Sequence, residues 1–294
     1  MKNKIKILLT GKKGQLGRTI VSQLKNDYNL FAYSKKELDI TKKNEITKYV
    51  KIHEPKFVVN TAAYNDVEKA EKNDSQSKKV NYLGVKNLKE VCFENNIFLI
   101  HFSSDYVFDG RQNKPYTELH KAKPINKYGQ SKLDGEQILL ANKKLDFIIL
   151  RLSWVYSKIG KNFLTKIQKK IQKKKDLHVV SEQFGIPTST SFIVYYLNKI
   201  LKEIIKGNKF KKIYHLTPNG NTSWYGFSKI ILLFLKKKNN KRFKKINILP
   251  ATSNFSGKAS RPLYSVMSSK KIQKKLNSNF HDWKFYFKKF FINK

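Results

Sequence analysis

The chain has 294 residues, 40% hydrophobic and 28% charged, the profile of a globular rather than a disordered protein, with apolar material for a sizeable core. No apolar run reaches the roughly 20 residues that span a bilayer, and the single cysteine, Cys92, excludes an internal disulfide framework and a cysteine-based metal cluster. The formal charge of +40 raises nucleic-acid binding, but only five of the 61 basic residues are Arg and the lysines are spread over the whole chain, so the excess reads as a solvated surface.

Taken in order, residues 5–9 read as a buried strand running into a glycine turn, not as a signal peptide. A helix follows over 16–24 and a second strand over 30–33. Residues 46–52 form a short helix ended by Pro55, and 57–59 a third strand. A long helix is expected over 75–94, a strand over 97–102, a helix over 127–140 and a strand over 147–150. Continuous apolar strands alternating with helices predict an α/β fold, a Rossmann-type doubly wound parallel sheet covered on both faces. After about Arg151 helices dominate (163–173, 192–206, 224–236), with short strands at 179–180, 213–216 and 246–249. The aromatic-rich stretch 281–292 reads as a packing helix.

Gly11, Gly14 and Gly17 stand three apart, directly after the first strand, and Gln15 and Leu16 open the helix between them. Glycine permits the tight turn and the close approach of backbone to a pyrophosphate, and the helix N-terminus offers free N–H groups to it. The pattern predicts a dinucleotide site; no Gly-Lys-Ser/Thr closes it as a P-loop. The end of the second strand reads Tyr33-Ser34-Lys35-Lys36, with hydroxyl and lysines where NAD-preferring sites carry an acid. NADPH is therefore expected to serve at least as well as NADH.

Tyr128 and Lys132 are four apart on a predicted helix, so both face one way. A neighbouring ammonium lowers a phenol's pKa and lets Tyr128 exchange a proton near neutrality. Ser104 stands at the C-terminal end of the fourth strand, where open α/β sheets bind ligands, and would polarise a substrate carbonyl. The six histidines show no metal-ligand spacing, and no metal is expected.

An ordered set of segments carries a resemblance over nearly the whole chain. They are the glycine turn 11–17, Asn60 to Tyr64, Ser103 to Gly110, Pro124 to Glu136, Ser153 to Tyr156, Asn162-Phe163, Gln183 to Thr188, Ser223 to Tyr225, and Arg261-Pro262 with Ser265. Together they resemble the dTDP-4-dehydrorhamnose reductase family of extended short-chain dehydrogenase/reductases. The resemblance implies a catalytic triad of Ser104, Tyr128 and Lys132. It implies cofactor contacts from Gly11, Gly14, Gln15, Leu16, Gly17, Asp39, Ile40, Ala62, Ala63 and Tyr64, as well as from Tyr128 and Lys132. It places Asp105, Trp154 and Arg261, with Ser104, on the nucleotide-sugar side. Ser104 stands where this family usually has Thr, and Asn65 and Glu68 replace the more usual Thr and Asp.

The implied reaction is reduction of the C4 keto group of a dTDP-sugar to give dTDP-L-rhamnose for surface polysaccharide. It would take place in a reducing cytoplasm with no membrane or nucleic-acid partner; a homodimer is compatible with it. The expected division gives residues 1–151 with about 188–217 to the NAD(P)-binding domain, and about 152–187 with 218–294 to the substrate domain. Two alternatives stay open: another nucleotide-sugar reductase or epimerase on the same fold, and a non-catalytic regulatory subunit.

Overall fold

The computed structural model describes residues 4–173, 176–252 and 259–292. The first half alternates strand and helix: β1 (Lys6–Thr10), α1 (Gln15–Leu24), β2 (Asn29–Tyr33), α2 (Lys43–His53), β3 (Phe57–Asn60) and a short α3 (Val67–Lys72). A helical run follows, made of α4 (Ser75–Lys78), a π-helical turn (Lys79–Leu83) and α5 (Gly84–Glu94). Then come β4 (Phe98–Ser104), α6 (Lys127–Leu140) and β5 (Phe147–Leu152).

Strand geometry sends successive side chains to opposite faces, and here both faces are apolar. Ile7, Leu9, Phe57, Val59, Ile100 and Ile148 form one core with α1, while Leu8, Val58, Leu99, Phe147 and Ile149 form the other with α2, α5 and α6. Helices on both faces of a parallel sheet are what near-continuous apolar strands require. The α2 helix stops where Glu54 turns left-handed (φ 46°) and Pro55 follows, as the sequence predicts.

The second half supplies β6 (Val155–Tyr156), α7 (Phe163–Ile171), β7 (Asp176–Val180), β8 (Phe184–Gly185), β9 (Thr188–Ser189) and α8 (Thr190–Ile205). Next are β10 (Ile213–His215), β11 (Thr222–Ser223), α9 (Trp224–Lys238), α10 (Asn240–Phe243), β12 (Asn247–Ala251), α11 (Lys270–Lys275) and α12 (Trp283–Ile292). Strand β10 returns to the main sheet beside β5, giving a six-stranded parallel order β2-β1-β3-β4-β5-β10. Strands β7 and β12 pair in parallel with each other, away from that sheet. The order reverses between β1 and β3, and open α/β sheets bind ligands at such a reversal, beyond the strands' carboxyl ends.

A third core gathers Leu164, Ile167, Leu177, Ile231, Ile248 and Trp283 around α7, α9 and α12, so the aromatic C-terminal helix does pack. Ile272 of α11 and Phe280 instead join the core under α8. No described helix is long and apolar enough to cross a membrane.

Two features of the first half depart from expectation. Residues 75–94 are not one regular helix, because the π-helical turn widens the backbone and brings Asn81 to face inward, 1% exposed. Helix α3 was not foreseen; Asp66 caps it by accepting from the Lys69 backbone N–H at 3.1 Å.

Candidate active site

A crevice of about 490 Å³ opens at the sheet's reversal. Gly14, Gln15 and Leu16 line it from the glycine turn, Ala62 and Ala63 from the loop after β3, and Ser104 and Asp105 from the end of β4. Tyr128 and Lys132 enter from α6, and Trp154 from the loop after β5. A larger groove of about 920 Å³ runs between α1, α8 and α12 but contains none of these groups. The smaller crevice is the one where buried ionisable side chains converge.

The glycine turn is shaped by sterics. Gly11 has φ +75°, and a Cβ there would stand 2.7 Å from the Ala62 nitrogen; a Cβ on Gly17 would strike the Gly11 carbonyl. A Cβ on Gly14 would meet only the Gly11 oxygen at 3.3 Å, so within the protein that glycine is the least demanded of the three. Gly14 occupies the N-cap position of α1 without a side-chain cap, which leaves the first N–H groups of the helix available. Short side-chain-free backbone and free N–H groups fit a pyrophosphate. The Gln15 amide does a different job: its oxygen accepts from Ser157 and Asn162, both at 3.1 Å, tying the turn to the segment before α7.

At the end of β2 the structure adds an acid that the sequence reading passed over. The Glu37 carboxylate accepts from the Lys12 ammonium and from the Ser34 backbone N–H, each at 2.7 Å. The Lys12 bond, then the Ser34 bond, hold its pKa down at about 2. Lys12 is thus partly neutralised, and a carboxylate stands close to the hydroxyl-and-lysine stretch.

Helix α6 carries the two central groups, and its glycines let it approach closely: a Cβ on Gly129 would strike the Tyr106 carbonyl, and one on Gly135 the Asn81 carbonyl. Asn126 caps the helix by accepting from the Gly129 N–H at 2.7 Å. Tyr128 is 8% exposed; its hydroxyl donates to Asn65 Oδ1 over 3.4 Å, and its ring meets Tyr106 edge-on. Lys132 is buried and donates to the Phe102 carbonyl at 2.7 Å. Burial drives it down to about 8, while Glu136 one turn further on pulls the other way. The expected lowering of the tyrosine pKa does not hold in this state. Burial raises the Tyr128 phenol above its ordinary value, with only a Ser104 hydrogen bond acting downward, so it stands as a protonated donor.

Behind Lys132, Glu136 forms a buried two-point pair with Arg151 (2.9 and 2.5 Å), which fixes α6 against β5. On the sheet, Asn60 Oδ1 accepts from Thr10 Oγ1 and the Ala62 N–H, so its amide nitrogen faces His101 Nδ1 at 3.0 Å. His101 is therefore neutral with its proton on Nε2, in keeping with a pKa pushed well below the usual value by burial and then by Lys132.

Ser104 donates to Asp105 Oδ1 at 3.0 Å and accepts from the Tyr106 N–H at 3.2 Å. Asp105 is buried, and its other oxygen accepts from Ser153 at 2.9 Å and Ser265 at 2.7 Å. Burial raises its pKa to about 6 against the pull of these three hydroxyls. Trp154 holds φ +42°, a costly conformation for a bulky residue, and lies flat on Trp224 with centroids 3.3 Å apart.

Residues 5–293 match the protein family described as RmlD substrate binding domain. A dTDP-4-dehydrorhamnose reductase of Aggregatibacter actinomycetemcomitans is 34% identical over 283 residues, covering 95% of each chain. The chain belongs to the dTDP-4-dehydrorhamnose reductase family. A reductase of the same name from Burkholderia thailandensis is 31% identical over 96% of each chain. The crystal structure of the Bacillus anthracis reductase in complex with NADP is 29% identical, with a TM-score of 0.90 over 99% of this chain and 100% of that one.

Against the family's expected site, most of the residues come together and a few do not. Gly14, Gln15, Leu16, Ala62, Ala63, Ser104, Asp105, Tyr128, Lys132 and Trp154 share the crevice. Gly11 and Gly17 lie just beneath, shaping the turn. Tyr64 is fixed at its backbone, where Asn81 accepts from its N–H (2.9 Å) and donates to its carbonyl (3.0 Å) while also donating to Ser131 (3.0 Å). Asp39 and Ile40 do not line the crevice: Asp39 accepts from the Thr41 N–H and hydroxyl, and Ile40 is in the core. Arg261 lies in an adjoining hollow and donates to Glu68 at 2.9 Å; its Nε is buried without a partner among the described residues. Asn65, Tyr106, Asn81, Ser153, Ser265 and Trp224 are site neighbours to which the sequence reading gave no role. Signals were present for all but Asn81: Asn65 departs from the family pattern, and Tyr106, Ser153, Trp224 and Ser265 lie in or at matched segments.

Proposed function

We propose that this protein reduces the C4 keto group of dTDP-4-dehydro-6-deoxy-L-mannose to give dTDP-L-rhamnose, a donor for surface polysaccharide, using NADPH. The observation that carries the reading is the meeting of Ser104, Tyr128 and Lys132 in one crevice with the glycine turn, at the reversal of the strand order. NADPH, when bound, supplies the hydride that reaches C4. The free N–H groups at the start of α1 would hold its pyrophosphate, and Ala62 and Ala63 would support it from the next loop, with Gly11 and Gly17 making room. Asp39, Ile40 and Tyr64 act indirectly, by setting the backbone around that site.

Ser104 donates to the carbonyl oxygen and polarises it. Tyr128 then gives its phenolic proton to the oxygen as C4 becomes tetrahedral, and burial keeps that proton in place beforehand. The Lys132 ammonium, on the same face of α6, stabilises the phenolate left behind. Asp105, Trp154 and Arg261 belong to the sugar-nucleotide side, where the flat Trp154–Trp224 stack offers an apolar plane. The cofactor side takes in residues 1–151 and about 188–217; about 152–187 and 218–294 form the sugar side, with α11 docked back on the first. The protein works in the cytoplasm, as a monomer or homodimer, without nucleic acid.

The test follows NADPH absorbance with the ketosugar generated in situ, and identifies the product by mass and NMR. Tyr128→Phe should lower kcat by about 10²–10⁴-fold, the usual worth of a general acid. Near-normal turnover in that variant would remove Tyr128 from the chemistry.

A further inference from the structure

Three hydroxyls from separate parts of the chain converge on one buried carboxylate beside the catalytic serine. Ser104 ends β4, Ser153 follows β5, and Ser265 arrives from a segment 160 residues beyond Asp105. Ser153 and Ser265 both take Oδ2, which leaves Oδ1 with a single side-chain donor among the described residues, the Ser104 hydroxyl. The two clamping serines are themselves held: Ser153 Oγ accepts from the Ile186 N–H, and the Ser265 N–H donates to the Phe184 carbonyl. The phenols of Tyr106 and Tyr128 feel the carboxylate's charge, and the Arg261–Glu68 pair acts on Tyr106 from beyond.

We infer that Ser153 and Ser265 are positioning residues for Ser104, and that the Ser104–Asp105 pair they set up reads an α-hydroxyketone. The inference rests on the reductase reading above, in which the hydroxyl concerned is the one on C3. In this state Ser104 donates its proton to Asp105 while its oxygen accepts from the Tyr106 N–H. When a carbonyl oxygen arrives, that proton must swing to it, and Oδ1 loses its donor. A buried acceptor left unpaired costs about 1–3 kcal/mol, more when charged. A hydroxyl on the neighbouring carbon stands about one hydrogen-bond length from the carbonyl oxygen, the same spacing as the Ser104–Asp105 pair. It refills Oδ1 as Ser104 leaves. The exchange is balanced only for a ketone that carries this hydroxyl, and only while Oδ2 stays clamped. C5 of the proposed substrate bears a methyl group, so C3 is the one candidate.

The experiment compares kcat/KM for the ketosugar and its 3-deoxy analogue in wild type, Ser153→Ala, Ser265→Ala and Ser265→Thr. Wild type should prefer the full substrate by at least about 100-fold, as sites built around a substrate hydroxyl do. Both alanine variants should lose most of that preference through the full substrate alone, with NADPH affinity kept and the fold intact by circular dichroism, and Ser265→Thr should restore it. A preference unchanged in both alanine variants overturns the inference. Carbon-13 NMR titration of the Asp105 carboxyl without substrate gives a second readout. Its midpoint should rise in each alanine variant, since each removes a donor to the charged form; an unmoved midpoint in both also overturns it. Wild type that fails to reduce the full substrate refutes the reductase reading, and the titration still decides whether these serines hold Asp105.

Discussion

Lys132 makes the fold less stable than it could be, and its replacement by methionine should show this. The ammonium is fully buried, and burial takes it from 10.5 to about 8. A difference of that size corresponds to about 3 kcal/mol of unfavourable interaction for the charged form. Methionine keeps the length and removes the charge, but leaves the Phe102 carbonyl without its donor, a loss of about 1–3 kcal/mol. At pH 7 Lys132→Met should therefore be about as stable as wild type or up to about 2 kcal/mol more so, while turnover falls by orders of magnitude. The pH dependence is the sharper test. Between pH 8 and 10.5 the unfolded lysine holds its proton more often than the folded one, so wild-type stability contributed by this group rises with pH. The penalty is fully present below pH 8 and gone above 10.5. Urea titrations of the cofactor-free proteins at pH 7 and 9.5 should thus move the difference by about 2 kcal/mol in favour of wild type. A difference that stays flat over that interval would show that Lys132 carries no burial penalty, and the reasoning would fail.

Glu136→Gln should destabilise the protein by about 3–5 kcal/mol, because it leaves Arg151 charged and buried with no carboxylate. The double change Glu136→Met with Arg151→Met should recover most of that loss in the same urea assay; no recovery would mean the pair is not a unit. Glu37→Ser should release Lys12 and the Ser34 N–H and shift the KM ratio toward NADPH over NADH by about tenfold, the worth of one charge-assisted contact. An unchanged ratio would place Glu37 outside the cofactor's ribose.

The parts of the site that were legible are those encoded by short-range pattern. Gly11, Gly14 and Gly17 announce their turn through spacing, Tyr128 and Lys132 share a face because four residues make about one helical turn, and Ser104 is placed by the end of an apolar strand. Strands such as β6, β8, β9 and β11, two residues each, are too short to carry a period of two and were invisible. Contacts across the chain were equally hidden: nothing local to Asp105 points to Ser265, nor anything at Arg261 to Glu68. The direction of the Lys132 side chain also depends on burial. Its neighbour in sequence space is Tyr128, but its hydrogen-bond partner is a strand carbonyl that β3, ending at Asn60, is too short to reach. The π-helical turn escaped because its residues read as ordinary helix; only the inward Asn81, bonded to Tyr64 and Ser131, shows why the wider turn is there.

The path of the chain through its sheets has a consequence for synthesis on the ribosome. Strand β5 is made well before β10, and β7 well before β12, yet each pair lies side by side. At ordinary translation speeds the roughly 70 residues between β7 and β12 take about 4 to 14 s to appear. During that wait β7 has an unpaired edge, the kind of surface that templates strands from other chains. That edge finds its partner only once residues 247–251 are made and pair with it in parallel, so the last strand made sets when this small sheet can form.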